Sequence, residues 1–369
     1  MDASVPCCLN RRAEVNDVHT KPIETRIDWL SALAARHGED YRSPEAVLAR
    51  ARYQSQHPTA IAVLKCMDGR INIPVATGTP IGLLMPFRNL GGRFDLGWPH
   101  LGEVVTQYVM DRVHEGRQVL FLVTYHFSRG DHHRGCAGFG YDQQAAVEHT
   151  QEIKQQISTI FGAAHGTVYP LVCGFETDED ALVLHGDNGQ LFRVADLEEC
   201  NLDALNTRLA NLLPDMPSAM REDLLPLVAG NFRHVAAIRK QARLGLRQLD
   251  IEHREWMICL GRGFDFLHTP NLALIIGPYS PNLAEPIIKA AGIIEANMMA
   301  GRIPDDGFLL LSSVPYEAIG VDQARAALKA NFLSEFAHAV IEEAYPALAK
   351  KMIRRTAILD WQGRRLSWL

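Results

Sequence analysis

The sequence contains no apolar run that approaches the ~20 residues a helix needs to cross a bilayer. Its opening stretch, MDASVPCCLNRRAEVNDVHTKP, lacks the apolar centre of a signal peptide, so no secretory signal is expected. Basic residues are not in excess, since 37 Lys and Arg face 43 Asp and Glu and the net charge is −6. A nucleic-acid-binding protein needs surplus basic charge to neutralise phosphates. We therefore expect a cytoplasmic protein with no membrane span and no nucleic-acid partner.

Motifs of several common enzyme classes are also missing. The sequence has no GxxxxGK[ST] phosphate-binding loop and no HExxH zinc motif. Its seven cysteines are odd in number and unevenly spaced, which does not fit a disulfide scaffold. Such usage is typical of a reducing compartment, where Cys and His side chains more often hold a metal ion.

Length and composition are those of a globular protein. The 369 residues, 47% hydrophobic and 22% charged, provide material for about two or three packed units. Residues 1–23 are polar without a period and predict a flexible tail. Apolar residues at helical spacing over 26–37, and a Ser43-Pro44 helix start, predict a short helical segment. We assign residues 1–58 to this tail and helical segment.

The next part of the chain predicts an α/β fold. Short apolar runs at 61–65, 81–87 and 118–125 are typical of strands buried on both faces. A helix over 101–113 precedes the third run, and a long amphipathic helix follows it and stops at Gly162. This alternation favours a mixed sheet with parallel members, flanked by helices.

The order of elements then recurs. Side-chain identity is low, but the spacing is kept within a few residues, which predicts a degenerate internal duplication. We expect residues 59–230 to form a catalytic domain and residues 231–369 to form a repeat without metal ligands. The corresponding segments are 63–70 and 256–262, 80–87 and 271–279, and 120–126 and 308–314.

Side chains suited to metal chemistry lie where the predicted strands end. Cys66, Asp68 and Arg70 directly follow the first strand, and alternation would point all three to one face if the chain stays extended. The third strand ends at His126, and a polar loop leads from it to Cys136. Strand ends on one edge of an α/β sheet converge, so two thiolates and one imidazole would form a Cys₂His zinc site. Three protein ligands leave the fourth tetrahedral position open, as catalytic zinc requires.

Asp68 and Arg70 are spaced to pair beside such a metal. Arg70 would then hold the carboxylate next to the zinc rather than on it. An ordinary ion pair at the end of a strand is the alternative. Zinc lowers the pKa of a bound water towards ~7, so hydroxide would be present at neutral pH.

These residues resemble the β-class carbonic anhydrases. That family carries Cys-x-Asp-x-Arg on its ligand strand, here at Cys66, Asp68 and Arg70, followed by Arg-Asn-x-Gly, here 88–91. A strand that ends in His, and a nearby Cys, complete the family's site. The resemblance covers about residues 60–140.

The choice of histidine separates two branches of that family. His133 offers the literal His-x-x-Cys spacing to Cys136, with His132 beside it, but it lies in the middle of a polar loop. His126 ends the apolar strand, where the family's His sits, and we prefer it as the ligand; His132 and His133 would then be near-site groups. The widened gap, the helical segment and a second copy that keeps only Cys259 and Arg262 resemble the carboxysomal branch.

The resemblance implies a zinc lyase that hydrates CO₂ reversibly to bicarbonate and a proton. Cys66, His126 and Cys136 would hold Zn²⁺, and the Asp68–Arg70 pair would orient the zinc-bound hydroxide. It further implies a homodimer or higher homo-oligomer and possible carboxysome partners, although a free cytoplasmic enzyme stays open. Alternatives are a zinc hydrolase of CS₂ or COS, and a non-catalytic scaffold or bicarbonate-sensing protein with structural zinc.

Overall fold

The computed structural model describes residues 17–369 except 187, 245–252, 265–266 and 268. Most of the predicted tail, residues 1–16, lies outside the described residues. The chain divides into two compact units. The first unit comprises residues 43–251 and 277–283, and the second comprises the chain up to residue 42, residues 252–276 and residues 284–369.

Helices and strands alternate along both units, as the apolar pattern predicts. The helices are α1 Ile23–Arg42, α2 Pro44–Gln56, α3 Ile73–Thr77, α4 Pro99–His114, α5 Gln143–Phe161, α6 Leu202–Leu212, α7 Ser218–Arg243, α8 Ala284–Met299, α9 Val321–Ala344 and α10 Pro346–Ala349. The strands are β1 Ala60–Cys66, β2 Leu84–Asn89, β3 Val119–Phe127, β4 Val168–Glu176, β5 Ala181–His185, β6 Leu191–Arg193, β7 Met257–Leu260, β8 Ala273–Ile276, β9 Phe308–Tyr316, β10 Met352–Asp360 and β11 Arg365–Trp368.

Local signals explain where several helices begin and end. Ser43 caps α2, and its hydroxyl accepts a hydrogen bond from the Ala46 amide at 3.2 Å, with Pro44 in the first turn. Asp142 caps α5 in the same way, and Gly162 follows its last residue. Helix α9 ends at Ala344, and Pro346 lies in the first turn of α10. No helix among the described residues is long and apolar enough to cross a membrane.

The first unit contains a six-stranded sheet in the order β2-β1-β3-β4-β5-β6. Its first four strands are parallel, and β5 and β6 are antiparallel. Every residue of β1 and β3 is buried, which explains their continuous apolar sequence. Because β1 and β3 are neighbouring parallel strands, their carboxyl ends meet at one edge of this sheet.

The second unit contains a five-stranded sheet in the order β8-β7-β9-β10-β11. Only the β10–β11 pair is antiparallel. This order and these directions repeat β2-β1-β3-β4-β5 of the first unit, strand for strand. The predicted fold class is confirmed: mixed sheets flanked by helices, internally duplicated, with a short helical segment before them.

Strand pairing shows which residues correspond in the two copies. The last pair between β1 and β2 is Cys66–Asn89, and the last pair between β7 and β8 is Leu260–Ile276. Leu260 therefore stands at the place of Cys66. The sequence pattern aligned Cys259 with Cys66, but Cys259 lies one residue earlier and points to the opposite face of its strand.

The same register relates β3 to β9. Leu64 of β1 pairs with Val123 of β3, and Ile258, the residue of β7 that corresponds to Leu64, pairs with Leu310 of β9. Val123 therefore corresponds to Leu310. Three residues further along these two strands, His126 corresponds to Ser313.

Candidate metal centre

Three candidate ligands meet at the carboxyl edge of the first unit's sheet. Cys66 is the last residue of β1, His126 is the last but one of β3, and Cys136 lies in the loop that follows β3. Their sulfur and ring-nitrogen atoms all lie within 4.8 Å of one another, and all three residues are buried. The strand ends thus bring together the three side chains predicted as ligands.

The chemistry of this set fits a zinc ion. Both ring nitrogens of His126 are buried, and neither has a hydrogen-bond partner among the residues that the structure describes. An imidazole buried in this way is costly unless a nitrogen finds a partner, and a metal ion would be one. Two cysteine sulfurs and one imidazole nitrogen are ligands that zinc prefers.

The two thiols influence each other's charge. The neighbouring Cys136 sulfur and burial raise the pKa of the Cys66 thiol well above its usual value. The Cys66 thiol in turn lowers the pKa of Cys136, with help from the backbone amide of Gly138. The first thiolate therefore forms at Cys136, and a cation would be needed to stabilise a second.

Asp68 and Arg70 form a tight pair beside these ligands. Arg70 Nε lies 3.0 Å from Asp68 Oδ2 and 3.1 Å from Oδ1, and Nη2 lies 2.5 Å from Oδ2. The chain does not stay extended after β1, so the alternation that would point all three side chains to one face does not apply. Residues 68–71 form a turn in which Asp68 Oδ1 accepts from the Arg70 amide. An Asp side chain that bonds the amide two residues on favours such a turn over an extended strand. Asp68 lies outside the three-ligand set.

The guanidinium of Arg88 binds backbone carbonyls of this turn. It donates from Nη1 to the carbonyls of Cys66 at 3.1 Å and Asp68 at 2.7 Å, and from Nη2 to that of Ile71 at 2.9 Å. Arg88 is almost completely buried. The arginine of the Arg-Asn-x-Gly segment therefore fixes the backbone that carries Cys66 and Asp68, a role that the sequence did not reveal.

Two glycines let the chain approach itself closely next to the candidate site. A Cβ atom added at Gly138 would lie 2.5 Å from the Cα of Gly91, so a larger residue would need backbone movement. Gly91 itself has φ of 68°, a conformation that glycine adopts without strain. The Arg93 side chain donates to the carbonyl of Gly138 and ties the two loops together.

The alternative histidine belongs to a different group of side chains. Asp131, His132 and His133 lie together in an exposed turn, with the two imidazole rings 3.8 Å apart. His133 Nδ1 is 3.3 Å from Asp131 Oδ1. The buried set thus contains His126, whereas His133 lies outside it.

Asp178, two residues after the end of β4, holds the loop that follows β3. Its Oδ1 accepts a hydrogen bond from Ser128 Oγ at 2.8 Å. Its Oδ2 accepts from the backbone amides of Arg129 and Gly130, each at 2.9 Å. Next to it, burial and Asp178 raise the pKa of Glu176 to about 7. No motif could have indicated this role, because it depends on where β4 ends beside β3.

Fold and site together define the class: an α/β protein with a buried Cys–His–Cys cluster at a strand edge, beside an Asp–Arg pair. Residues 103–199 match a family model described as Carboxysome Shell Carbonic Anhydrase, catalytic domain. The match includes His126 and Cys136 and begins after the Cys66–Arg70 segment. It confirms the resemblance to a carboxysomal-type β-carbonic anhydrase, and the enzyme class is carbonic anhydrase, a lyase. No curated protein matches the chain significantly.

Proposed function

We propose that this carbonic anhydrase uses zinc to hydrate CO₂ reversibly to bicarbonate and a proton. In this proposal Cys66, His126 and Cys136 would hold the ion, and a set of only three protein ligands would leave zinc able to bind water. When bound, zinc supplies Lewis acidity that lowers the pKa of water towards neutrality, so that a strong nucleophile is available at physiological pH.

Asp68 and Arg70 supply the orientation that the reaction needs. Asp68 accepts a hydrogen bond from the attacking oxygen and thereby directs that oxygen's lone pair at the carbon of CO₂. Arg70 keeps the carboxylate in place with two N–H groups and its own backbone amide. Net turnover consumes one CO₂ and one water, and it yields bicarbonate and a proton that must leave the site.

One observation carries this proposal most strongly. Both ring nitrogens of His126 are buried without a hydrogen-bond partner in the described chain, and two cysteine sulfurs lie within 4.8 Å of the ligand nitrogen. Without a bound ion, both nitrogens of that buried imidazole would stay unsatisfied. The set holds three ligands rather than four, which favours a catalytic over a purely structural zinc site.

We also propose a location and a role for the second unit. The matching family takes its name from the carboxysome shell, and association of this chain with a carboxysome follows from that likeness. Among the described residues, the groups that could hold a metal all lie in the first unit. The second unit is accordingly a degenerate copy without a metal, and one zinc per chain is expected. The homo-oligomer expected from the sequence stays a prediction.

Metal analysis combined with stopped-flow CO₂ hydration tests the function. The wild-type chain should contain one zinc and hydrate CO₂, and Cys136→Ser should lose both. Hydrolysis of COS and CS₂ should be measured alongside. A zinc-loaded chain that hydrolyses either compound but does not hydrate CO₂ would contradict the proposed substrate.

A further inference from the structure

A serine, a histidine and an aspartate of the first unit form a hydrogen-bonded triad. Ser158 Oγ lies 3.1 Å from His165 Nε2, and His165 Nδ1 lies 3.0 Å from Asp215 Oδ2. Both ring nitrogens of one imidazole are therefore engaged, one by a hydroxyl and the other by a carboxylate. This order of groups is the one that activates a serine nucleophile for acyl transfer.

The triad lies at the amino end of β4, whereas the candidate metal centre lies at the carboxyl edge of the same sheet. His165 comes three residues before β4 begins, and Ser158 is in the last turn of α5. Val168, the first residue of β4, pairs with Val119, and His126 stands seven residues further along β3. At about 3.3 Å per residue, these two positions lie about 23 Å apart along the strand. The triad is thus separate from the proposed zinc site.

The aspartate decides which nitrogen of His165 carries the proton. An ionised carboxylate only accepts hydrogen bonds, so Nδ1 must donate to Asp215. In the neutral imidazole, Nε2 is then left as an acceptor that faces the Ser158 hydroxyl. Asp215 is itself held by Tyr169, whose hydroxyl donates to Oδ1 at 2.8 Å. The geometry therefore presents an unprotonated nitrogen to the serine, as a general base requires.

The Ser158 hydroxyl has a second acceptor nearby. Its Oγ lies 3.0 Å from the carbonyl of Lys154, one helical turn earlier. Ser31 in α1 makes the same ordinary contact, with its Oγ 3.0 Å from the carbonyl of Ile27. Ser158 adds an imidazole to this contact, so its single proton has a basic nitrogen within reach. Ser31 is therefore an internal comparison for the reactivity of Ser158.

The triad can be reached from solvent, and its backbone is constrained. Ser158 is half-buried, and the side chain of His165 is 10% exposed and that of Asp215 41% exposed. His165 has φ of 53°, a left-handed conformation that costs free energy and persists where surrounding contacts hold it. A Cβ added at Gly166 would meet nothing within 4 Å, so there is open space beside the histidine.

We propose that Ser158 is an activated nucleophile that hydrolyses small carboxylic esters. Its Oγ forms a bond to the ester carbonyl carbon while its proton passes to His165 Nε2. The imidazole then gives this proton to the departing alkoxide, which leaves as an alcohol, and the acyl group stays on Ser158. Water, with its proton taken by the same nitrogen, cleaves the acyl–serine ester and releases the carboxylic acid. Asp215 is a positioning residue that holds the imidazole in the required tautomer.

Covalent labelling and ester hydrolysis by the full chain test this proposal. After treatment with diisopropyl fluorophosphate, mass spectrometry should find the diisopropylphosphoryl group on Ser158 and little of it on Ser31. Hydrolysis of p-nitrophenyl acetate should fall about tenfold or more in Ser158→Ala. The labelled wild-type chain should lose hydrolysis to the same extent.

Variants of the other two members separate the base from its support. His165→Asn suits the left-handed backbone but removes the base, and it should slow the labelling of Ser158 about tenfold or more. Asp215→Asn should slow labelling as well, and Asp215→Glu, which keeps a carboxylate, should restore part of the rate. Thr159→Ala is the matched control, because this neighbouring hydroxyl donates to the carbonyl of Gln155 at 2.8 Å. Its labelling rate should stay within about twofold of wild type.

The proposed zinc centre is tested separately by Cys136→Ser. Selective labelling of Ser158, with ester hydrolysis that persists in Cys136→Ser, supports the proposal whether or not the chain hydrates CO₂. The proposal is overturned if Ser158 is labelled no faster than Ser31, or if His165→Asn and Asp215→Asn are labelled like wild type. Ester hydrolysis that survives in Ser158→Ala but is lost in Cys136→Ser would also overturn it, since that activity would belong to the zinc centre.

Discussion

Arg70 holds both carboxylate oxygens of Asp68 across a turn of only three residues, with Nη2 2.5 Å from Oδ2. The same Nη2 donates to the carbonyl of Arg134 at 3.1 Å, two residues before Cys136. One guanidinium thus connects the carboxylate that follows β1 with the loop that carries a candidate ligand. Because neither Asp68 nor Arg70 belongs to the candidate ligand set, variants of this pair test its role while Cys66, His126 and Cys136 stay in place.

Asp68→Asn should leave zinc bound but slow CO₂ hydration by about 10²–10³-fold, because the amide cannot accept and orient the nucleophile's proton as a carboxylate does. Stopped-flow hydration with metal analysis measures both effects. Arg70→Lys is the matched variant. It keeps the positive charge but loses the two guanidinium hydrogen bonds to the Asp68 carboxylate, so it should hydrate CO₂ at an intermediate rate. A rate for Asp68→Asn within about twofold of wild type would rule out the assigned role.

His126→Ala should abolish stoichiometric zinc, since it removes the only imidazole of the buried set. His133→Ala is the control, because that exposed side chain lies outside the set and should leave one zinc per chain. Metal content after dialysis, measured by plasma mass spectrometry, separates the two outcomes. Loss of zinc from His133→Ala together with its retention in His126→Ala would reverse the assignment.

Arg88→Met should lower the free energy of unfolding by about 2–4 kcal/mol, because three carbonyl oxygens lose their buried donor. Denaturant titration at fixed pH gives this value. The exposed Arg325→Met serves as a comparison and should cost less than about 1 kcal/mol. Equal costs for the two variants would show that the guanidinium of Arg88 does not organise the Cys66–Ile71 turn.

Glu176 should make stability fall with rising pH. Its pKa is raised to about 7 by burial and by Asp178, so the folded chain keeps a proton that the unfolded chain releases above a pH of about 4.5. The stabilisation is complete below that lower value and is lost as pH rises through about 7. Glu176→Gln should remove this part of the slope, about 1–3 kcal/mol over that interval. Parallel stability curves for variant and wild type would contradict the shifted pKa.

The sequence allowed the candidate metal ligands to be predicted because they lie at or just after the ends of strands. Cys66, His126 and Cys136 could be predicted to meet, because buried parallel strands deliver their carboxyl ends to one edge. The turn at residues 68–71 could not be predicted, since alternation holds only while the chain stays extended. The alignment of Cys259 was one residue out, because an apolar run does not fix its own pairing register.

Residues that act through backbone contacts were the hardest to foresee. Arg88 and Asp178 bind carbonyls and amides of segments distant in sequence, and no spacing rule encodes such partners. Ser313 also gave no signal, because a serine in an apolar strand is unremarkable until its burial and its match to His126 are known.

The most direct test is to measure zinc content and stopped-flow CO₂ hydration on the same preparations of wild type and Cys136→Ser. The account predicts one zinc per chain and CO₂ hydration for wild type, with both lost in Cys136→Ser. CO₂ hydration that is undiminished in a zinc-free Cys136→Ser chain, or a fully zinc-loaded wild type without hydration, would contradict it.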